Sequence, residues 1–207
     1  ISFDFIKQSS IKLLKFFPKL KITPTYCNYI KYIKLPKNIS KTKVGFFLGS
    51  SIGNFYNNEE RKFLKNAKKT LGKKSFLFVG VDLIKNIKIL KKAYNDKGNY
   101  TAKFNLNLIN IINKKFGTKL KTKDFEYIAT FNNKKSSMNN FIVSKKKQMF
   151  FLNNKKFSFK KGEKIQTEIS NKFTISKFSK LAKSSGWCVK KYWKDTKRYY
   201  AVFLLQS

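Results

Sequence analysis

The spacing of apolar residues changes several times along this chain, and each change marks an element. Val44 to Leu48 is an uninterrupted apolar run, the pattern of a short strand buried on both faces. Gly49-Ser50-Ser51-Ile52-Gly53-Asn54 follows, a small-residue bend whose two glycines let backbone approach a ligand closely. From about Asn57 the period becomes helical. Asn57 or Asn58 supplies a cap, Glu59 and Glu60 occupy the first turn, Phe63, Leu64, Ala67 and Leu71 share a face, and Gly72 ends it. Ser75 to Leu83 is the next apolar run. Strand, polar bend, helix and strand are the order of an open parallel α/β sheet, in which ligands sit beyond the carboxyl ends of the strands.

Upstream of the bend, the pattern predicts a strand over Ser2 to Phe5, a helix over Gln8 to Phe17, a strand over Leu20 to Pro24, and a connection through TYCNYIKYIKLPKN. Downstream, helices are expected around Ile87 to Tyr94 and Tyr100 to Phe116. Strands are expected in FEYIATF, in NFIVSKKKQMFFL, and in KKFSFKKG, the last leading into KIQTEIS. Residues 85–172 are too long an excursion between consecutive strands of a parallel sheet, so they read as a separate lobe inserted after a core strand. The core resumes with ISKFSKLAKSSG, where Ile175, Phe178, Leu181 and Ala182 share a helix face, and closes with the strands WCVKKYW and RYYAVFLLQ. The expected organisation is a core of residues 1–84 and 173–207 with a lobe of residues 85–172.

A chain of 207 residues buries enough surface for one ordinary core and a small second lobe. The formal net charge of +37 suggests a polyanionic partner at first sight. Lysine supplies nearly all of it, Arg61 and Arg198 are the only arginines, and the lysines are scattered along the whole chain. Phosphate and base-edge recognition favour the arginine fork. The charge therefore reads as a solvated lysine surface shaped by AT-rich codon usage, without a specific nucleic-acid partner. Two other readings stay open, a lysine-rich nucleic-acid-binding protein without catalysis and an inactive enzyme fragment. Cys27 and Cys188 are far apart, no C-x-x-C spacing occurs and histidine is absent, so neither a metal site nor a disulfide framework is expected and a reducing cytoplasm fits. No apolar run approaches the roughly 20 residues needed to span a bilayer. A monomer is expected.

Four stretches in order carry a resemblance: LGSSIGNF with its acidic helix start, VGVDLIKNIKILKKAYND, TAKFNLNLINIIN and GEKIQTEISNKF. Together they resemble the histidine-specific, S-adenosylmethionine-dependent N-methyltransferases that make the trimethylated histidine precursor of ergothioneine. The resemblance implies a class I methyltransferase fold (α/β, Rossmann-like), truncated at its N-terminus and carrying an inserted α+β substrate-binding lobe. It implies S-adenosylmethionine as methyl donor and the α-amino group of L-histidine as acceptor. The chain begins at Ile1 rather than methionine, and the family's first strand, glycine-rich turn and amino-terminal helices are expected upstream. The chain thus resembles the carboxyl-terminal two-thirds of such an enzyme, and alone should bind the donor weakly.

Carried over residue by residue, the resemblance places Gly49 on the channel between donor and acceptor, and Asn54 and Tyr94 at the substrate's amino-acid head. Glu168 and Ser170 fall where the family reads the imidazole. Spacing of i and i+2 on a strand does point two side chains to one face, and a carboxylate accepting an imidazole N–H makes a charge-assisted hydrogen bond. Asn140 stands in place of the family's pocket methionine, with Met138 one strand period away. On the donor side, Asp4 matches a ribose-binding aspartate at a strand end, while Asn28 and Tyr29 fall in the segment facing the adenine. Taken without the resemblance, Asp4 also suits a helix cap, Tyr94 a packed helix-end aromatic, and Glu168 with Ser170 a solvated strand face. No catalytic acid or base is assigned, because transfer from a sulfonium to a neutral amine needs positioning and exclusion of water.

Overall fold

The computed structural model describes residues 2–36 and 39–207. Its central sheet has four strands in the order β1 (Val44–Phe47), β2 (Phe76–Asp82), β9 (Tyr200–Gln206) and β8 (Cys188–Lys194). Only β1 and β2 run parallel; β9 lies antiparallel to β2, and β8 antiparallel to β9. The expected closing strands WCVKKYW and RYYAVFLLQ form this β8–β9 pair, and the last of them enters beside β2.

Helix α2 (Glu59–Leu71) and helix α5 (Ile175–Ser184) form where the periodicity placed them. In α2, Phe63 and Leu64 are buried, and Gly72 ends the helix at φ 82°, a left-handed conformation that glycine takes without steric cost. Thr174 caps α5 by accepting from the Lys177 N–H. One face of the sheet, with Leu77, Val79, Val81, Phe203 and Leu205, packs on Leu64 of α2, Phe178 of α5 and Trp187. The Trp187 indole N–H finds the Leu64 carbonyl at 2.9 Å, which satisfies a donor that would be costly to bury alone.

The expectation that the run from Val44 to Leu48 is buried on both faces is corrected. Val44, Phe46 and Leu48 are exposed, Phe46 by 67%. Helices α2 and α5 pack on the opposite face, with Phe47, Leu77 and Val79, so the Phe46 face has only lateral neighbours. Phe46 stacks on Phe78 at 5.1 Å, and Phe78 stacks on Trp193 at 6.2 Å.

The beginning of the chain also differs from expectation. Ser2 to Phe5 is not a strand. One helix, α1 (Phe3–Phe16), takes those residues, with the Ser2 hydroxyl accepting from the Phe5 N–H and Asp4 in the first turn. A strand needs a partner for its backbone groups, whereas this segment carries its own cap and a favourable acidic start. Leu20 to Pro24 is irregular as well. The connection after it ends at 37–38, outside the described residues.

The intervening residues build a second layer. Helices α3 (Ile87–Tyr94) and α4 (Tyr100–Phe116) match the expected bounds. Strands β3 (Phe125–Asn132), β4 (Ser137–Ser144) and β7 (Lys164–Asn171) form an antiparallel sheet in the order β3, β4, β7. Strands β5 (Gln148–Leu152) and β6 (Lys155–Phe159) pair as a hairpin. The single strand expected over NFIVSKKKQMFFL is therefore two, broken at Lys145-Lys146-Lys147, where the Ser144 hydroxyl donates to the Lys146 carbonyl and folds the chain back. These elements have their own apolar cluster of Ile109, Leu120, Phe125 and Ile142.

Candidate functional site

The site is assembled where the bend after β1 meets β7. Ser50 adopts a left-handed conformation (φ 55°, ψ 12°), and its hydroxyl accepts from the Asp82 N–H at 2.9 Å, tying the end of β1 to the end of β2. Tyr200 adds a second tie by donating to the Leu48 carbonyl. A 3₁₀ turn, Ser51–Asn54, then runs against β7. Gly53 makes this possible: a Cβ there would lie 2.7 Å from the Asn171 carbonyl oxygen, inside any real contact distance. Asn171 holds the turn from the other side, its side-chain N–H reaching the Phe55 carbonyl at 3.1 Å.

Two neighbouring networks follow. In the first, Asn54 Nδ2 donates to Glu168 Oε1 at 3.1 Å, and Asn140 Nδ2 donates to Glu168 Oε2 at 2.8 Å. Asn140 is the cross-strand neighbour of Glu168 and is buried, and the Tyr127 hydroxyl donates to its Oδ1 at 2.9 Å. Both carboxylate oxygens of Glu168 thus accept an amide N–H while keeping lone pairs to spare. Burial first, and the Glu168 charge second, push the Tyr127 and Tyr56 hydroxyls above the ordinary tyrosine range.

The second network centres on Lys172, just past the end of β7 and only 1% exposed. Its Nζ lies 2.8 Å from Ser170 Oγ, 3.0 Å from the Tyr94 hydroxyl and 2.7 Å from Asp82 Oδ2. Lys85 takes the other Asp82 oxygen at 2.6 Å. Burial, and then the Asp82 charge, raise the Tyr200 hydroxyl above its usual range.

Of the residues singled out from sequence, Asn54, Asn140 and Glu168 thus share one network, and Tyr94 and Ser170 share the other. The strand alternation carries Glu168, Ser170 and then Lys172 along one face, so the networks sit side by side. Met138 is fully buried and is the cross-strand neighbour of Ser170. Glu168 also borders a hollow of about 330 Å³, together with Phe104, Asn105, Leu108, Ile111 and Thr167; Asn54, Tyr94 and Ser170 do not line it.

Of the residues that the resemblance assigns to the donor, Tyr29 packs near Phe47, Phe55 and Phe63 with ring centroids 5.6, 6.2 and 6.5 Å away, which brings the Asn28–Tyr29 turn to the end of β1. Asn28 Oδ1 accepts from the Ile30 N–H at 3.0 Å, leaving its amide N–H groups for another partner. Above Gly49 the space is open, an added Cβ meeting only Ser51 Oγ at 3.4 Å. Asp4 lies exposed in the first turn of α1, on a different element from these three.

Sequence reasoning missed Lys172, Asp82 and Tyr127. Lys172 continues the alternation from Glu168 and Ser170 by one more step, and that signal was available. Asp82 and Tyr127 lie on distant segments, and only the fold brings them in.

The family model described as "Histidine-specific methyltransferase, SAM-dependent" matches residues 1–207. The histidine N-alpha-methyltransferase of Mycolicibacterium smegmatis is 30% identical over 129 residues, covering 61% of this chain and 40% of that protein. Ergothioneine biosynthesis protein 1 of Neurospora crassa is 40% identical over 83 residues, 40% of this chain and 10% of that protein. The chain thus spans less than half the length of these curated relatives. A solved S-adenosylmethionine-dependent methyltransferase from Clostridium acetobutylicum superposes with a TM-score of 0.48 at 9% identity, covering 96% of this chain and 70% of that one.

Proposed function

The chain belongs to the histidine-specific, S-adenosylmethionine-dependent methyltransferases, and from that premise we propose that the protein methylates the α-amino nitrogen of L-histidine. The observation that carries the proposal is the convergence on Glu168: an amide from the bend after β1 and an amide from β4 hold one carboxylate. A fixed acceptor of this kind suits an imidazole N–H, and a site built to pair a polar group rejects side chains that lack it.

In this reading Glu168 and Ser170 receive the imidazole, and Asn54 and Tyr94 the amino-acid head. Asn140 and Met138 line the side-chain end of the pocket. Asn28, Tyr29 and Gly49 fit a donor site at the end of β1; Asp4 enters that set only through family resemblance. S-adenosylmethionine, when bound, supplies a methyl group on a sulfonium. The residues of this chain act by orientation, since a neutral amine attacks through its own lone pair and needs no side chain to carry its proton in the transfer itself. Gly49, having no side chain, leaves the approach between the two ligands open. Residues 85–172 serve as the substrate lobe on a core of 1–84 and 173–207, in keeping with their separate apolar cluster. No described helix is long and apolar enough to cross a membrane, and we place the enzyme in the cytoplasm, acting as a monomer on a small molecule.

The test is to incubate the full-length protein with S-adenosylmethionine and each of the twenty amino acids, and to follow methylated products by mass spectrometry. Selective formation of mono-, di- and trimethylhistidine is expected. Equal methylation of other amino acids, or none of histidine, overturns the reading.

A further inference from the structure

Lys172 has the geometry of a part with a defined job. A lysine ammonium has three protons and no acceptor, and this one, 1% exposed, meets three oxygens: Asp82 Oδ2 at 2.7 Å, Ser170 Oγ at 2.8 Å and the Tyr94 hydroxyl at 3.0 Å. Each contact uses one proton, so both hydroxyls accept from Lys172. Neither hydroxyl donates to a protein acceptor among the described residues. Their own protons are therefore available on the side away from the ammonium. Asp82 is in turn held by Lys85 and fixes where the ammonium sits.

We propose that Lys172 is a positioning residue that sets the hydrogen-bond polarity of the amino-acid pocket, holding Ser170 and Tyr94 as donors beside the acceptor Glu168. The inference rests on the functional reading above and adds to it the reason the pocket has a sign. Neutral imidazole offers one N–H and one bare nitrogen, which match Glu168 and Ser170 respectively. A carboxylate offers only acceptors and matches Tyr94. Were the ammonium replaced by an apolar group, either hydroxyl could turn its proton inward to the other or to Asp82, and the substrate would lose its donors.

Calorimetric titration of L-histidine and of histamine into the full-length wild type and Lys172→Met tests this. Histidine binding should weaken about ten- to hundredfold in the variant, the loss expected for one or two hydrogen bonds to charged or buried partners. KM should rise more than kcat falls, and affinity for S-adenosylmethionine should stay within a factor of about two of wild type, inside the error of such comparisons. Histamine has no carboxylate for Tyr94 and should lose less than histidine does. In a Tyr94→Phe, Ser170→Ala background, Lys172→Met should add little. Wild-type affinity for histidine in Lys172→Met overturns the proposal, as does an equal loss for histidine, histamine and donor, which would mark a structural role. If Lys172→Met does not fold, wild type is titrated with 3-pyrrolylalanine, which keeps an N–H but lacks the bare nitrogen. Binding at least tenfold weaker than histidine is expected, and equal binding overturns the proposal. Failure of the wild type to bind histidine at all would instead remove the functional reading, and this inference with it.

Discussion

Asn54, on the turn after β1, and Glu168, on β7, are 114 positions apart in sequence and joined by a hydrogen bond of 3.1 Å. The bond links the central sheet to the antiparallel layer at the one place where family resemblance puts both ends of an amino-acid substrate. Breaking it from either side should disable the site while leaving the fold. Hydrogen bonds involving a charged group contribute about 1.5–3 kcal/mol, or roughly ten- to 150-fold in kcat/KM. Asn54→Ala and Glu168→Gln are each expected to lose at least that much, with far-ultraviolet circular dichroism unchanged. Steady-state kinetics with histidine provide the check, and full activity in Glu168→Gln would remove the carboxylate from the mechanism.

The Glu168 charge is also felt by its neighbours. Tyr127 and Tyr56 are held above the usual tyrosine range, by burial first and by this carboxylate second. A raised tyrosine pKa means that the folded protein keeps a proton the unfolded chain gives up. The associated stability is thus complete below the ordinary tyrosine pKa of about 10 and is lost as pH rises beyond it. Glu168→Gln removes the second cause and leaves the first. Titration of tyrosinate absorbance should show two groups moving to lower pH in the variant, though not down to the value of a free tyrosine.

Much of the arrangement was legible because local signals agreed. α2 has an acidic first turn, an apolar face at helical spacing and Gly72 at its end, and the structure follows all three. TEIS was legible for a different reason: period two on a strand puts Glu168 and Ser170 on one face whatever the strand packs against. Ser2 to Phe5 was misread because four residues of alternation match a helix start equally well, and the Ser2 cap decides between them. Phe46 shows the limit of an apolar run as a burial signal, since coverage depends on neighbours that the run does not specify. For Lys172 the strand alternation was available, but composition masked it. In a chain with 47 lysines and arginines, one buried lysine does not stand out until its three oxygen partners are seen.

Gly49 and Gly53 flank the same bend yet are required for different reasons, and alanine should separate them. At Gly53 an added Cβ meets the Asn171 backbone at 2.7 Å, so the turn must move away from β7. Overpacking of this kind costs about 1–3 kcal/mol, and displacement of Asn54 from Glu168 should weaken histidine binding in parallel. At Gly49 the nearest atom would be 3.4 Å away, so Gly49→Ala should leave stability within about 0.5 kcal/mol of wild type, as for substitutions that create no clash. If Gly49 borders the methyl-transfer channel, that same alanine should lower kcat. Urea denaturation measures the first effect and single-turnover kinetics the second; equal destabilisation by both alanines would contradict the geometry.

Asp96 controls how the second layer begins. Its carboxylate accepts from the Tyr100 N–H at 2.8 Å and the Thr101 N–H at 2.9 Å, taking up donors that the start of α4 leaves free, since Asn99 makes no side-chain cap. The backbone and side-chain hydrogen bonds from Thr101, followed by the backbone of Tyr100, hold the Asp96 carboxyl down at about 2, against an ordinary 3.8. A depressed carboxylate contributes stability that is complete above the unfolded value and disappears as pH falls through the folded one. Thermal unfolding of the wild type should therefore show an Asp96 contribution that is flat above pH 4 and fades between about pH 4 and pH 2. Asp96→Ala should unfold at a lower temperature than wild type at pH 7, with the gap closing as pH approaches 2. A gap that stayed constant across that interval would mean that the alanine acts through lost packing and that the carboxylate does not hold the helix start.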